Sequence, residues 1–279
     1  MPYFYRFIFS VILASCQAPA QPVTATQTQS TIDKAKKLIL LRDREGATRL
    51  LVREIERATD IVEKDRLLRE LNKTSEIFFT NEGQKLYELA ESLRFDAKEG
   101  YFERYDSALA LEKNNTKILK SKSLALIALG RCQEAAEVVT MALSQNPHDE
   151  DVKLIHFKAE VCAGQDTKSL KYEDTAKWPQ LAIVNATWAE KFFNADKKDM
   201  ALNYARLASK NDENYPGGYF WAWKVLSIED QGLDEGQRYL NLCKRITQAI
   251  RRKYYFDPSL CRGVDLVEEH LKKTEGQLQ

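Results

Sequence analysis

Glycine and proline are sparse in this chain of 279 residues, with 11 and 7 respectively, too few for the turns of a β-rich fold. No segment alternates apolar and polar residues with period two, so no sheet is expected. Neither sign of charge is in excess: 42 Lys and Arg stand against 41 Asp and Glu, interspersed rather than blocked. Such a balance builds no long-range field for nucleic acid or acidic lipid, and no nucleic-acid partner is expected. There are only three histidines, His148, His156 and His270, and none falls in an H-E-x-x-H or similar ligand pattern, so no metal is expected. Walker and G-x-S-x-G loops are missing. The one paired glycine, in Tyr215-Pro216-Gly217-Gly218, reads as a turn. Carboxylates are plentiful but sit as surface charge on helices, so no active site or cofactor site assembles, and the chain reads as a non-enzyme. No apolar run reaches the roughly 20 residues that a membrane-spanning helix needs.

What is present is Ala, Leu, Lys and Glu in abundance, a composition that favours an all-α fold. The stretch Gln17 to Ser30 holds Val23 as its single large apolar residue and reads as a flexible tether over residues 16–30. Ile32 to Leu41 carries a helical apolar stripe, residues 42–46 a turn, and Ala47 to Ala58 and Asp60 to Phe79 resume it. Whether the helix breaks near Asp60 stays open. Residues 31–80 thus form N-terminal helices, and 259–275 a last amphipathic helix with Leu260, Val264, Leu266, Val267 and Leu271.

Between them lies a repeat of about 34 residues. Its clearest unit, Thr116 to His148, carries Ser123, Leu126, Gly130, Ala135, Val139, Ala142, Leu143 and Pro147. Ala108 precedes Ala142, and Gly130 precedes Gly164, by one period. Ser123, Leu126, Ala135 and Ala142 recur two units on as Ala189, Phe192, Ala201 and Ala208, and the last two map onward to Gly236 and Cys243. Small residues let two helices approach closely, a bulky neighbour fills the gap beside them, and glycine ends the first helix in a left-handed cap.

These spacings resemble the tetratricopeptide repeat. The resemblance implies an all-α, TPR-like solenoid of stacked antiparallel helix pairs over residues 81–249. Residues 250–279 would supply a capping helix and tail for the open apolar end of the stack. Departures exist: Lys122 occupies a leucine site, Tyr101 a small site and Ala205 a bulky one, and the second helix expected over Asp166 to Lys177 is polar and weak. Residues 31–80 are out of phase with the repeat.

At the N-terminus, Arg6 precedes an apolar segment from Phe7 to Ala14, the layout of a secretory signal. Leu13-Ala14-Ser15-Cys16 resembles the lipobox of bacterial lipoproteins. That resemblance implies a signal peptide over residues 1–15, acylated Cys16 as the first mature residue, and a membrane-tethered chain facing the periplasm. Gln17, in place of the aspartate that retains such lipoproteins in the inner membrane, points to the outer membrane. Cleavage after Ala18-Pro19-Ala20, giving a soluble exported protein, is the alternative.

Four more cysteines, Cys132, Cys162, Cys243 and Cys261, permit two disulfides in three pairings, or four buried thiols. The repeat register suggests Cys132 with Cys162, in neighbouring units, and Cys243 with Cys261, tying the last unit to the capping helix.

Binding remains as the function. The groove face of such a stack would present Lys117 and Lys120, then Lys158, then Glu190 and Phe193, a set unlike the Lys, Arg and Asn clamp that grips free carboxylates in this family. Tyr215, Tyr219, Phe220, Trp221 and Trp223 form the densest aromatic cluster, either as interface anchors or as core between units. The expectation is a lipid-anchored periplasmic adaptor that binds protein partners in envelope assembly or secretion. A small-ligand carrier for solute transport and a non-catalytic scaffold for cell-wall enzymes are the alternatives.

Overall fold

The computed structural model describes residues 25–96, 98–164, 181–254, 257 and 260–277. The signal segment, Cys16 and the expected helix over Asp166 to Lys177 lie outside the described residues. Within them there are fourteen α-helices and no strand. The first three are Ala25–Leu40 (α1), Arg44–Arg57 (α2) and Ile61–Glu76 (α3). Next come Asn81–Phe95 (α4), Tyr101–Leu111 (α5), Thr116–Ala128 (α6), Cys132–Gln145 (α7) and Glu150–Cys162 (α8). The series ends with Leu181–Asn194 (α9), Lys198–Asn211 (α10), Pro216–Leu226 (α11), Leu233–Lys244 (α12), Gln248–Lys253 (α13) and Val264–Gln277 (α14).

Side-chain caps start many of these helices by accepting first-turn N–H groups that would otherwise lack a partner. Asp60 accepts from Val62 and Glu63, Asn115 from Lys117 and Ile118, and Asp149 from Asp151 and Val152. The Asp60 cap marks a break over residues 58–60, so the apolar stripe is divided between two helices there. Left-handed residues follow α6, α8 and α9 at Gly130, Gly164 and Asp196, and α11 at Asp230 after a 3-10 turn over Ser227–Glu229. Those positions are spaced by 34, 32 and 34 residues, so the chain reverses at a nearly constant interval.

Two segments differ from expectation. Residues 25–30, assigned to the tether, belong to α1. Their side chains are polar, yet they find partners in the three-helix unit: Gln27 donates to Glu54 at 2.6 Å, Arg66 donates to Gln29, and Thr28 is fully buried. Gly217 and Gly218 lie in the first turn of α11, behind Pro216 at its start, rather than in a turn between helices. A Cβ on Gly218 would fall 2.7 Å from the Ser209 backbone nitrogen and 3.0 Å from the Ala205 carbonyl oxygen, so here α10 and α11 touch backbone to backbone.

Most helices adjacent in sequence pack on one another, and α4, α6, α8, α9 and α11 also pack each on the next. The small residues of the repeat face these contacts. Ala108, Ser123, Ala135, Ala142, Ala189, Ala201 and Ala208 are all fully buried. The first three helices have a core of their own around Leu51, Ile55, Leu67 and Leu71, joined to the rest by a polar seam. Asn115 donates to the Ile77 carbonyl at 3.0 Å, Thr116 to Ser75 at 3.0 Å, and Asn146 to Asn72 at 2.7 Å. At the other end, Val267 and Leu271 of α14 close over Trp223, Tyr239 and Leu240. This last helix starts at Val264, later than expected, because residues 260–263 form a turn. No helix among the described residues is long and apolar enough to cross a membrane.

Candidate functional site

Side chains three, four and seven positions apart share one face of a helix, and α4, α6 and α8 turn such faces toward a common recess of about 660 Å³. Tyr87 and Phe95 come from α4, Lys117 and Ser121 from α6, Asp151 from α8, and Glu76 from the end of α3. The Lys117 ammonium is exposed and lies 5.4 Å from the centre of the Tyr87 ring, within cation–π range. The Tyr87 hydroxyl shares a 3.3 Å hydrogen bond with Ser121. Burial, reinforced by Glu91, pushes that phenol up to about 12, so it stays protonated. Asp151 accepts no side-chain hydrogen bond from any described residue. Its carboxyl is pushed up to about 6, first by burial and then by Asp149, Glu76 and Glu150, against the opposing pull of Lys120.

Lys120, expected on the binding face, also lines the recess, but as a buried and paired cation. It is 6% exposed, and its ammonium pairs with Glu76 and, at 3.0 Å, with Asp149. A charge this buried holds its place only with partners, and the two carboxylates come from the helices on either side. Leu124 on α6, Leu154 on α8 and Ala186 on α9 are also buried.

Beyond the recess, Lys158 donates to Thr187 at 3.4 Å and lies 3.9 Å from the carboxylate of Asp257, which accepts a 2.7 Å hydrogen bond from the Tyr215 hydroxyl. Asp257 follows α13, so the C-terminal segment is seated against the helices that carry the groove. Glu190 faces Lys158 and Asp257, and its carboxyl is raised, chiefly by burial.

The aromatic cluster splits between the interior and the surface. Tyr215 is 1% and Trp223 6% exposed, so both lie in the interior. Trp223 packs between Gly236 and α14, and Phe220 packs 5.3 Å from Tyr239 and against Gly263. Tyr219 is half-buried beneath Arg238. Trp221 and Phe193 are half-buried, 5.7 Å apart, with the Lys224 ammonium 4.9 Å and 5.1 Å from their ring centres. Lys224 stands three residues beyond Trp221 on the same helix, a spacing that puts both on one face.

Of the histidines, His148 is half-buried rather than solvated, and its Nε2 has no hydrogen-bond partner among the described residues. His156 lies 3.9 Å from Glu160, and His270 meets the Trp223 ring edge-on at 5.7 Å. No three potential ligands cluster as a metal site among the described residues. Cys132 at the start of α7 is disulfide-bonded to Cys162 at the end of α8, with Cα atoms 5.4 Å apart. Cys243 of α12 is bonded to Cys261, with Cα atoms 5.6 Å apart.

Tyr87 and Asp151 were not singled out from sequence, and nothing local marks either: one is a tyrosine within an amphipathic helix, the other one of two acids in a first turn. The chain matches no protein-family model and no curated protein.

Proposed function

We propose that this chain is a protein-binding adaptor, built as a tetratricopeptide-like solenoid and tethered to the outer membrane through lipid on Cys16. In this reading the groove over α4, α6 and α8 grips a segment of a partner in envelope assembly or secretion. The observation that carries it is the recess of about 660 Å³, walled by side chains from α4, α6 and α8 and mixing an exposed cation, aromatic rings and the Asp151 carboxyl, which accepts no side-chain hydrogen bond among the described residues. Aromatic and charged groups around an open depression are the composition of binding hot spots. The near-constant spacing of left-handed helix ends and the burial of the recurring small residues support the solenoid reading. The lipobox-like Leu13-Ala14-Ser15-Cys16 supports the tether.

Two measurements test it. A photo-crosslinking amino acid in place of Lys117 should trap one defined protein in intact membranes, and the same group in place of Met141, exposed on α7 away from the recess, should not. Equal adducts from both positions, or none from either, refute the groove. Alkyne-tagged palmitate should label the protein, and Cys16→Ser should abolish the label; labelling that persists in that variant refutes the anchor.

A further inference from the structure

A second cavity, of about 370 Å³, lies where the C-terminal segment meets the middle of the array. One wall is Arg251, Tyr254, Leu260 and Arg262; the other is the ends of α4 and α6 with Tyr101. Its volume falls within the range of small-molecule sites. Arg251 and Arg262 are exposed and meet no carboxylate among the described residues. Arg94, also in the wall, gives one nitrogen to Glu91 at 2.9 Å and lies over the Phe95 ring at 4.7 Å, while its buried Nε has no partner among the described residues. The acid of the lining, Asp257, is turned to Tyr215 and Lys158, and its charge is thereby offset. The cavity therefore holds two guanidinium groups without a carboxylate partner among the described residues, beside aromatic rings and a floor of Ala125, Ala128 and Leu129.

From this arrangement we infer that the cavity binds a small amphipathic anion, its carboxylate or phosphate on Arg251 and Arg262 and its apolar body against Tyr101, Tyr254 and Leu129. Guanidinium groups suit such anions because their planar fork can donate two parallel hydrogen bonds. The apolar wall discriminates against inorganic ions, which bury nothing there. This inference does not depend on protein binding by the other recess.

The test is isothermal titration of the full chain in lipid nanodiscs, with empty discs as the blank. Three probes are compared: 4-phenylbutyrate, phenyl phosphate and the neutral 4-phenylbutan-1-ol. At least one anion should bind at a single site and about ten-fold or more tighter than the alcohol. Whichever anion binds tighter tells carboxylate from phosphate. Arg251→Gln with Arg262→Gln should weaken the anion about ten-fold and leave the alcohol unchanged. Ala128→Phe, which fills the floor, should abolish binding while the far-UV circular dichroism stays that of the parent. Anion and alcohol binding alike, an arginine double variant that binds as the parent does, binding that survives Ala128→Phe, or no anion bound at all would each overturn the proposal.

Discussion

Arg44 and Glu112 stand 68 residues apart in sequence and 2.9 Å apart in space, both buried. The arginine, at the start of α2, also donates to the carbonyls of Ile77 and Lys113 and lies over the Phe79 ring at 4.4 Å. The glutamate, just past α5, accepts from the backbone N–H groups of Phe79 and Thr80 and from the Thr80 hydroxyl. This ion pair, together with the polar seam and the Lys120–Glu76 pair, joins the first three helices to the array. Burial works to raise the Glu112 carboxyl, but the hydrogen bonds from Phe79, Thr80 and Arg44 outweigh it and hold the group below the usual carboxylate range.

Glu112→Gln should therefore destabilise the protein by about 3 kcal/mol at neutral pH, as breaking a buried pair does. Because the folded carboxyl is depressed, its contribution is present above the unfolded value of about 4 and is lost as pH falls through the folded value. Urea titrations should show parent and variant converging below about pH 4. A gap that stays constant with pH would contradict the assignment.

Asp151 carries the opposite sign. Its carboxyl is raised to about 6, so ionisation inside the fold is unfavourable and the penalty grows as pH rises from the unfolded value toward the folded one. Asp151→Asn should raise the melting temperature at pH 8 and leave it nearly unchanged at pH 4. Equal effects at both pH values would show that the carboxyl is not strained by its surroundings.

Two glycine substitutions should fail for different reasons. Gly218→Ala drives a Cβ into the α10 backbone and should cost about 1–3 kcal/mol, as overpacking does. Gly130→Ala meets nothing within 4 Å but must adopt φ +72°, a conformational cost of about 1–2 kcal/mol. Chemical denaturation gives both values. Substituting Asn, which tolerates the left-handed region, should recover part of the loss at position 130 and none at 218.

Trp223→Ala should lower stability by about 3–5 kcal/mol, the range for truncating a buried large aromatic, and should loosen α14, which rests on that ring. Trp221→Ala, at a half-buried site, should cost distinctly less. Calorimetry of the two variants, with hydrogen exchange over residues 264–277, checks the order; a reversed order would mean that Trp221 carries the packing.

Each disulfide closes a modest loop, with separations of 30 and 18 residues. Chain entropy assigns about 3 kcal/mol to each, slightly more to the longer. Denatured, unreduced protein should consume no alkylating reagent at these four positions, and dithiothreitol should lower the melting temperature. Free thiols detected before reduction would refute the pairing.

The parts of the fold legible in the chain were those fixed by local spacing. Gly130 and Gly164 announce helix ends because few other residues take that backbone conformation, and Ala108, Ala142 and Ala208 mark close contacts because larger side chains would hold the helices apart. Asp196 and Asp230 do the glycines' work at the next two helix ends but read locally as ordinary turn acids. Residues 25–30 read as a linker because their stabilising contacts are hydrogen bonds to Glu54 and Arg66, distant in sequence and without an apolar signature. The pairing of Lys120 was hidden for the same reason: its partners Glu76 and Asp149 lie 44 and 29 residues away. The recess around Tyr87 and Asp151 exists only once α4, α6 and α8 are side by side.

The covalent links between Cys132 and Cys162 and between Cys243 and Cys261 also order events in time. Both form only where an electron acceptor is at hand, so a newly made chain in reducing surroundings lacks two of its ties and stays closer to the unfolded state. Full rigidity is then acquired at the moment of oxidation, and the compartment in which that happens decides when the finished scaffold first exists.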